Sequence, residues 1–205
     1  MTTLIETIER KHTIVKIYLD DDPQNPREWD NLGIMVCWHN HYGLGDKHDF
    51  HSPQDFNDEI TEQDNIVLPL YLYDHSGITM STSNSRYPFC DRWDSGQVGY
   101  IYVSKTQVRH EYGWKLLTQS RIDKIKTYLQ NEVSVYDDYL TGNVYGFEVI
   151  CNKCNKCKNN IDSCWGFYGQ DWNENGLMIY VGEDQLCDNC QAELKEKNRQ
   201  MVMAI

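Results

Sequence analysis

The chain has 205 residues and a formal net charge of −12, with 31 Asp and Glu against 19 Lys and Arg. That length buries one good core, or one main domain with a small appendage, and so acidic a surface argues against a general binder of duplex nucleic acid. No apolar run is long enough to span a bilayer, and the start MTTLIETIERKH lacks the basic, apolar and small-residue zones of a secretion signal.

Thr13 to Leu19 (TIVKIYL) predicts a first strand, β-branched and partly alternating, followed by an acidic, proline-punctuated loop from Asp20 to Pro26. Ile34 to His39 predicts a second strand. Ser52 and Pro53 predict the cap and first position of a short helix. Ile66 to Tyr73 (IVLPLYLY) is the most strand-like run. Pro69 removes one ladder donor there, which places this strand at an edge or gives it a bulge.

Gln97 to Ser104 predicts another strand. A short helix follows over Lys105 to Tyr112, capped by Ser104 and closed by Gly113. Thr118 to Leu140 predicts the longest helix, because Ile122, Ile125, Leu129, Val133, Tyr136 and Leu140 recur at three- and four-residue steps. Val144 to Ile150 and Ile161 to Tyr168 predict a hairpin, and Gln191 to Val202 a closing helix. The sum is an α+β fold with a mostly antiparallel sheet, one long helix and a C-terminal zinc-ribbon-like extension. The expected division is a main domain over 1–150, with the hairpin strand 161–168, and a zinc-stapled tip and helix over 151–205.

Six of the eight cysteines fall from Cys151 onward. Cys151, Cys154 and Cys157 form a C-x2-C-x2-C run, and Cys187 and Cys190 a second C-x2-C pair. Two such pairs can place four thiolates around Zn2+, the expected structural cofactor. A cytoplasm keeps thiols reduced, so metal is favoured over disulfides there. If Tyr145–Ile150 pairs with Ser163–Tyr168, the hairpin turns between Asn155 and Lys158. That selects Cys154, Cys157, Cys187 and Cys190, with Cys151 as the alternate ligand. An iron–sulfur cluster and unliganded thiols are the competing readings, the first weakened by the lack of a following Cys-Pro.

Other clusters carry weaker signals. His39 and His41 would share a strand face and form a second metal site, with Asp46 and His48 as further donors. The turns Asp74-His75-Ser76-Gly77 and Trp93-Asp94-Ser95-Gly96 offer Asp74, His75, Asp94 and Ser95 as a general acid–base set. The same residue types are what turns demand for their own geometry. Cys37 or Cys90 could serve as a nucleophile with His75 as base, although a mid-strand cysteine is usually core. Lys153, Lys156 and Lys158 make the cysteine knuckle locally basic, and they offset the charge of its thiolates.

Several strings carry a family resemblance: NPREWDNLG at 25–33, LPLYLYDHSGI at 68–78, WDSGQVGYIY at 93–102, GNVYGF at 142–147 and SCWGFYG at 163–169. Together with Leu44-Gly45-Asp46 and Glu111-Tyr112-Gly113-Trp114, they resemble uncharacterised small proteins of bacteriophages, prophages and mobile elements. The resemblance implies a bacterial host cytoplasm and brings no reaction or ligand with it. Cys164 belongs to a shared string, which leaves it outside the zinc set. The expected activity is therefore a phage-type accessory role through protein–protein interaction, with a host or phage protein as partner. The alternative is a small hydrolase or transferase built on the two Asp-rich turns.

Overall fold

A computed structural model describes residues 3–83, 87–91, 93–153 and 161–203, without side chains for 201–203. In chain order the strands are β1 (Leu4–Glu9), β2 (Thr13–Leu19), β3 (Ile34–Cys37), β4 (Asn65–Asp74), β5 (Ile78–Thr82), β6 (Ser95–Ser104), β7 (Val144–Cys151) and β8 (Asp162–Tyr168). The helices are α1 (Pro53–Glu59), α2 (Lys105–Tyr112), α3 (Gln119–Thr141), α4 (Leu177–Val181) and α5 (Asp188–Met203). The fold is α+β, with two antiparallel four-stranded sheets ordered β1-β2-β7-β8 and β3-β6-β4-β5.

The chain divides into two compact units, 1–24 with 142–205, and 25–141. The second unit is thus inserted in sequence between β2 and β7. Those two strands are antiparallel neighbours, with Leu19 opposite Tyr145 and the Asp20 amide donating to the Val144 carbonyl at 2.8 Å. An insertion that leaves and re-enters at adjacent points does not break the host sheet. The boundary expected at residue 150 falls inside β7 of the first unit.

In the second unit α3 lays its stripe on one face of the sheet. Ile125, Leu129, Val133 and Tyr136 are buried against Met35, Leu68, Leu70, Leu72 and Ile101. Each such side chain contributes about 1.5–3 kcal/mol of transfer free energy. The local signals act as their chemistry requires. Ser52 caps α1 by accepting from the Asp55 amide, Ser104 caps α2 by accepting from the Gln107 amide, and Gly113 ends α2 at φ 64°. Phe56 pins α1 to the sheet by stacking on Tyr100 with ring centroids 4.7 Å apart.

Pro69 occupies an interior strand, but only part of that strand is interior. β5 pairs with β4 from Leu70 onward, so among the described residues the Pro69 half is an edge on that side. The ladder to β6 also slips between Leu70 and Tyr71. Both features expected of a strand proline are therefore present next to it. In the first unit Val15, Ile17, Tyr145, Phe147, Val149 and Phe167 meet Leu177 and Val181 of α4 to form a separate core. Strand β1 has no counterpart in the sequence reading, because five of its six side chains are exposed and leave no apolar pattern to detect.

Candidate metal centre

Cys151 ends β7, and Cys187 and Cys190 bracket the first turn of α5. Their sulfur atoms all lie within 4.8 Å of one another, and Cys151 Sγ is 3.8 Å from Cys190 Sγ. A disulfide would require about 2.05 Å. Thiolates at about 2.3 Å from a tetrahedral ion stand about 3.8 Å apart, which is the separation found. Three cysteines are therefore close enough to hold a metal ion. Cys151 and Cys187 are buried, so water has little access to the cluster.

Backbone amides point at two of the three sulfur atoms. The Lys153 amide donates to Cys151 Sγ at 3.4 Å, and the Cys190 amide to Cys187 Sγ at 3.5 Å. Cys187 also accepts the Gln191 amide on its carbonyl, so both cysteines of this pair sit at the positive end of α5. Strand pairing brings the two cysteine segments together. Thr13 lies opposite Cys151, and its hydroxyl donates to Asp184 at 2.8 Å. The His12 amide donates to the same carboxylate at 3.0 Å, which ties the segment before Cys187 to the start of β2.

Cys151, the alternate ligand in the sequence reading, thus stands with Cys187 and Cys190. Cys154 and Cys157 lie outside the described residues, as do Lys156 and Lys158. The ladder pairs Tyr145 with Phe167 and slips between Tyr145 and Gly146, while the turn expected between Asn155 and Lys158 lies outside the described residues. Cys164 packs on the core of the first unit, away from the cluster.

The expected strand through His39 ends at Cys37, so His39 and His41 occupy a loop rather than one strand face. His39 Nδ1 accepts the amides of His41 and Tyr42, both at 3.3 Å, and its ring stacks on Tyr42. Asp46 is taken up by Arg27 and the Met35 amide, and His48 Nε2 meets the Cys37 carbonyl. Among the described residues, the three cysteines form the one cluster of three or more metal-ligating groups.

The two Asp-rich turns do meet. His75 Nδ1 lies 2.8 Å from Asp94 Oδ2, and the Asp74 amide donates to the Asp94 carbonyl at 2.7 Å. The pair is open to solvent, with His75 64% and Asp94 38% exposed. Tyr42, which the sequence did not single out, donates to Asp74 at 3.3 Å. The Ser95 hydroxyl bonds the Asp91 carbonyl and the Tyr87 hydroxyl. Burial pushes the Cys37 thiol up to about 12, with Asp46 adding to the effect, so this thiol is not a nucleophile at neutral pH.

Asp137 carries a different electrostatic signature. Its carboxylate accepts the Met80 amide of β5 at 2.6 Å beside a cavity of about 280 Å³. Burial pushes its carboxyl up to about 6, against the lowering effect of that hydrogen bond. The folded state therefore holds the proton that the unfolded chain releases at about pH 4, and stability falls as pH rises through the window between the two values. Asp137→Asn keeps an acceptor for Met80 and removes the charge. Thermal melts should show the variant a few degrees more stable at pH 7 and level with the parent at pH 4. An unchanged difference across that range would refute the assignment.

No helix among the described residues is long and apolar enough to cross a membrane. Comparison with known proteins finds no matching family model, no matching curated protein and no matching solved structure.

Proposed function

We propose that this chain is a phage-type accessory protein that acts by binding a host or phage protein, and that structural zinc staples its C-terminal helix to the hairpin. The sulfur cluster carries the metal part of this reading, because its spacing fits a tetrahedral thiolate site. Zinc is preferred over softer or redox-active ions because it needs only four-coordination and asks no chemistry of its ligands. Cys154 is the proposed fourth ligand. It stands three residues after Cys151, as Cys190 does after Cys187, so each C-x2-C turn supplies two thiolates.

The binding role draws on the acidic surface and on exposed apolar side chains of the first unit. Ile179 and Tyr180 on α4 are 78% and 66% exposed, and Trp165 on β8 is 40% exposed. Aromatic and aliphatic side chains left in water are typical of contact surfaces. Metal analysis of protein purified under reducing conditions should find about one zinc per chain, retained in Cys157→Ser and lost in Cys154→Ser. Metal-free protein, or the reverse pattern of loss, would overturn the site. Affinity capture from a bacterial lysate should return a stoichiometric protein that the double change Ile179→Ser, Tyr180→Ser releases while zinc stays bound. Capture that is insensitive to this change would remove α4 from the reading.

One observation favours a second reading, a small hydrolase or transferase. The His75–Asp94 contact orients the imidazole and leaves Nε2 without a hydrogen bond among the described residues. Turnover of activated esters or phosphates that disappears in His75→Ala would support it. Equal rates in both proteins would end it.

A further inference from the structure

In the second unit, a cavity of about 210 Å³ lies between the loop at Asp30–Leu32 and the helices α2 and α3. Gln107 and Glu111 face it from α2, four residues apart on one side of the helix, and Tyr128 faces it from α3. Asp30 and Tyr112 complete the wall. The volume is below the ~300–1,000 Å³ of sites that take drug-sized ligands, and it suits a single side chain.

The cavity lining includes the carboxylates of Asp30 and Glu111 and the phenols of Tyr112 and Tyr128, while its side-chain amides are engaged by backbone carbonyls. Asn31 Nδ2 donates to the Pro26 and Trp29 carbonyls, and Gln107 Nε2 is directed at the Leu32 carbonyl. Among the described residues, the carboxylates of Asp30 and Glu111 have neither an ion pair nor a hydrogen bond. Behind the loop, Glu132 holds the Leu32 amide at 2.8 Å and shares Arg27 with Asp46. One guanidinium thus serves two carboxylates, and the wall keeps an excess of negative charge. Burial raises the Tyr112 phenol, and Tyr128, Glu111 and Glu132 raise it further, as expected where negative groups converge.

The adjoining aromatic surface already carries a guanidinium. Tyr112 stacks on Trp114 with ring centroids 4.6 Å apart, and the Arg121 guanidinium sits 4.8 Å from the Trp114 ring centre. We propose that the cavity is a receptor for an arginine side chain presented by a basic partner protein. A flat guanidinium stacks on phenol faces and forks its hydrogen bonds to carboxylates, and a lysine ammonium does neither as well. The site rests on the binding role proposed above and supplies the chemistry of one of its contacts.

The test titrates the full chain, followed by NMR, with the capped peptide Gly-Arg-Gly and with its lysine and citrulline counterparts. Saturable shifts at Tyr112, Tyr128 and Glu111 are expected with arginine. Citrulline, which keeps the shape and loses the charge, should give none, and lysine should bind more weakly. Glu111→Gln and Asp30→Asn should each weaken the arginine peptide by at least about fivefold. No saturable shift, equal binding of citrulline or lysine, or indifference to both substitutions would overturn the site. The failures are separable. A captured partner indifferent to Glu111→Gln, with a silent cavity, removes this site and leaves the binding role standing. A peptide that titrates while no partner is ever retained does the opposite.

Discussion

If the proposed metal is bound, replacing Cys187 with serine should release it and melt α5, while the rest of the first unit stays folded. The reason lies in the exposure of that helix beyond its first turn. Residues 192–200 are exposed throughout, and Leu194 is half in solvent. A 16-residue helix whose residues 192–200 bury no face is marginal in water on its own. Its first turn brings Cys187 and Cys190 to Cys151, where the proposed metal would tie them together. The core around Phe147 and Phe167 does not include α5, so it should survive. Hydrogen exchange should show the amides of 188–200 losing protection in Cys187→Ser, and chelation of the parent protein should do the same. Far-UV circular dichroism should report a loss close to the 16 residues of α5. Protection that persists in the metal-free protein would mean that something other than sulfur holds the helix.

The second large effect is expected at Arg27. Its guanidinium, 4% exposed, grips Asp46 with two hydrogen bonds of 2.6 and 3.0 Å. It also reaches Glu132 at 3.3 Å and the Gly33 carbonyl at 2.7 Å. The two carboxylates organise the backbone in turn, since Asp46 accepts the Met35 amide and Glu132 the amides of Leu32 and Gly33. Burial raises the Glu132 carboxyl, and those two amides together with Arg27 counter this only in part. Arg27→Ala would leave both carboxylates without their cation and should cost about 3–5 kcal/mol. Urea unfolding should show a lower midpoint at an unchanged slope. Because the cost comes from unpaired negative charge, it should shrink as pH falls toward roughly 4, where carboxyls take up protons. A deficit that is constant with pH would assign the effect to lost packing instead. Arg27→Lys keeps the charge and loses the fork, and it should fall between the two.

The strings flanking these sites were readable at different depths. Ser52, Ser104 and Gly113 act within one turn of themselves, so the limits of α1 and α2 follow from local chemistry. The stripe on α3 is also local, because helical period alone sets which of its residues share a face. The pairing of Cys187 with Cys190 is of the same kind. The strand expected over Ile34 to His39 ends at Cys37, although nothing in Trp38 or His39 by itself opposes extension. His39 leaves the ladder when its ring nitrogen closes a turn onto the amides of His41 and Tyr42.

By itself, the sequence determined whatever depends on neighbours a few residues away: the helix limits and stripes, most of the strands, and the spacing of Cys187 and Cys190. Only the tertiary structure decided that one unit is inserted within another, that Cys151 joins Cys187 and Cys190, and that His75 meets Asp94. Each of these rests on strand register between segments distant in the chain. Thr13 opposite Cys151 and the ladder of β4 with β6 are set by burying two separate cores, and no local pattern records which strand will lie beside which.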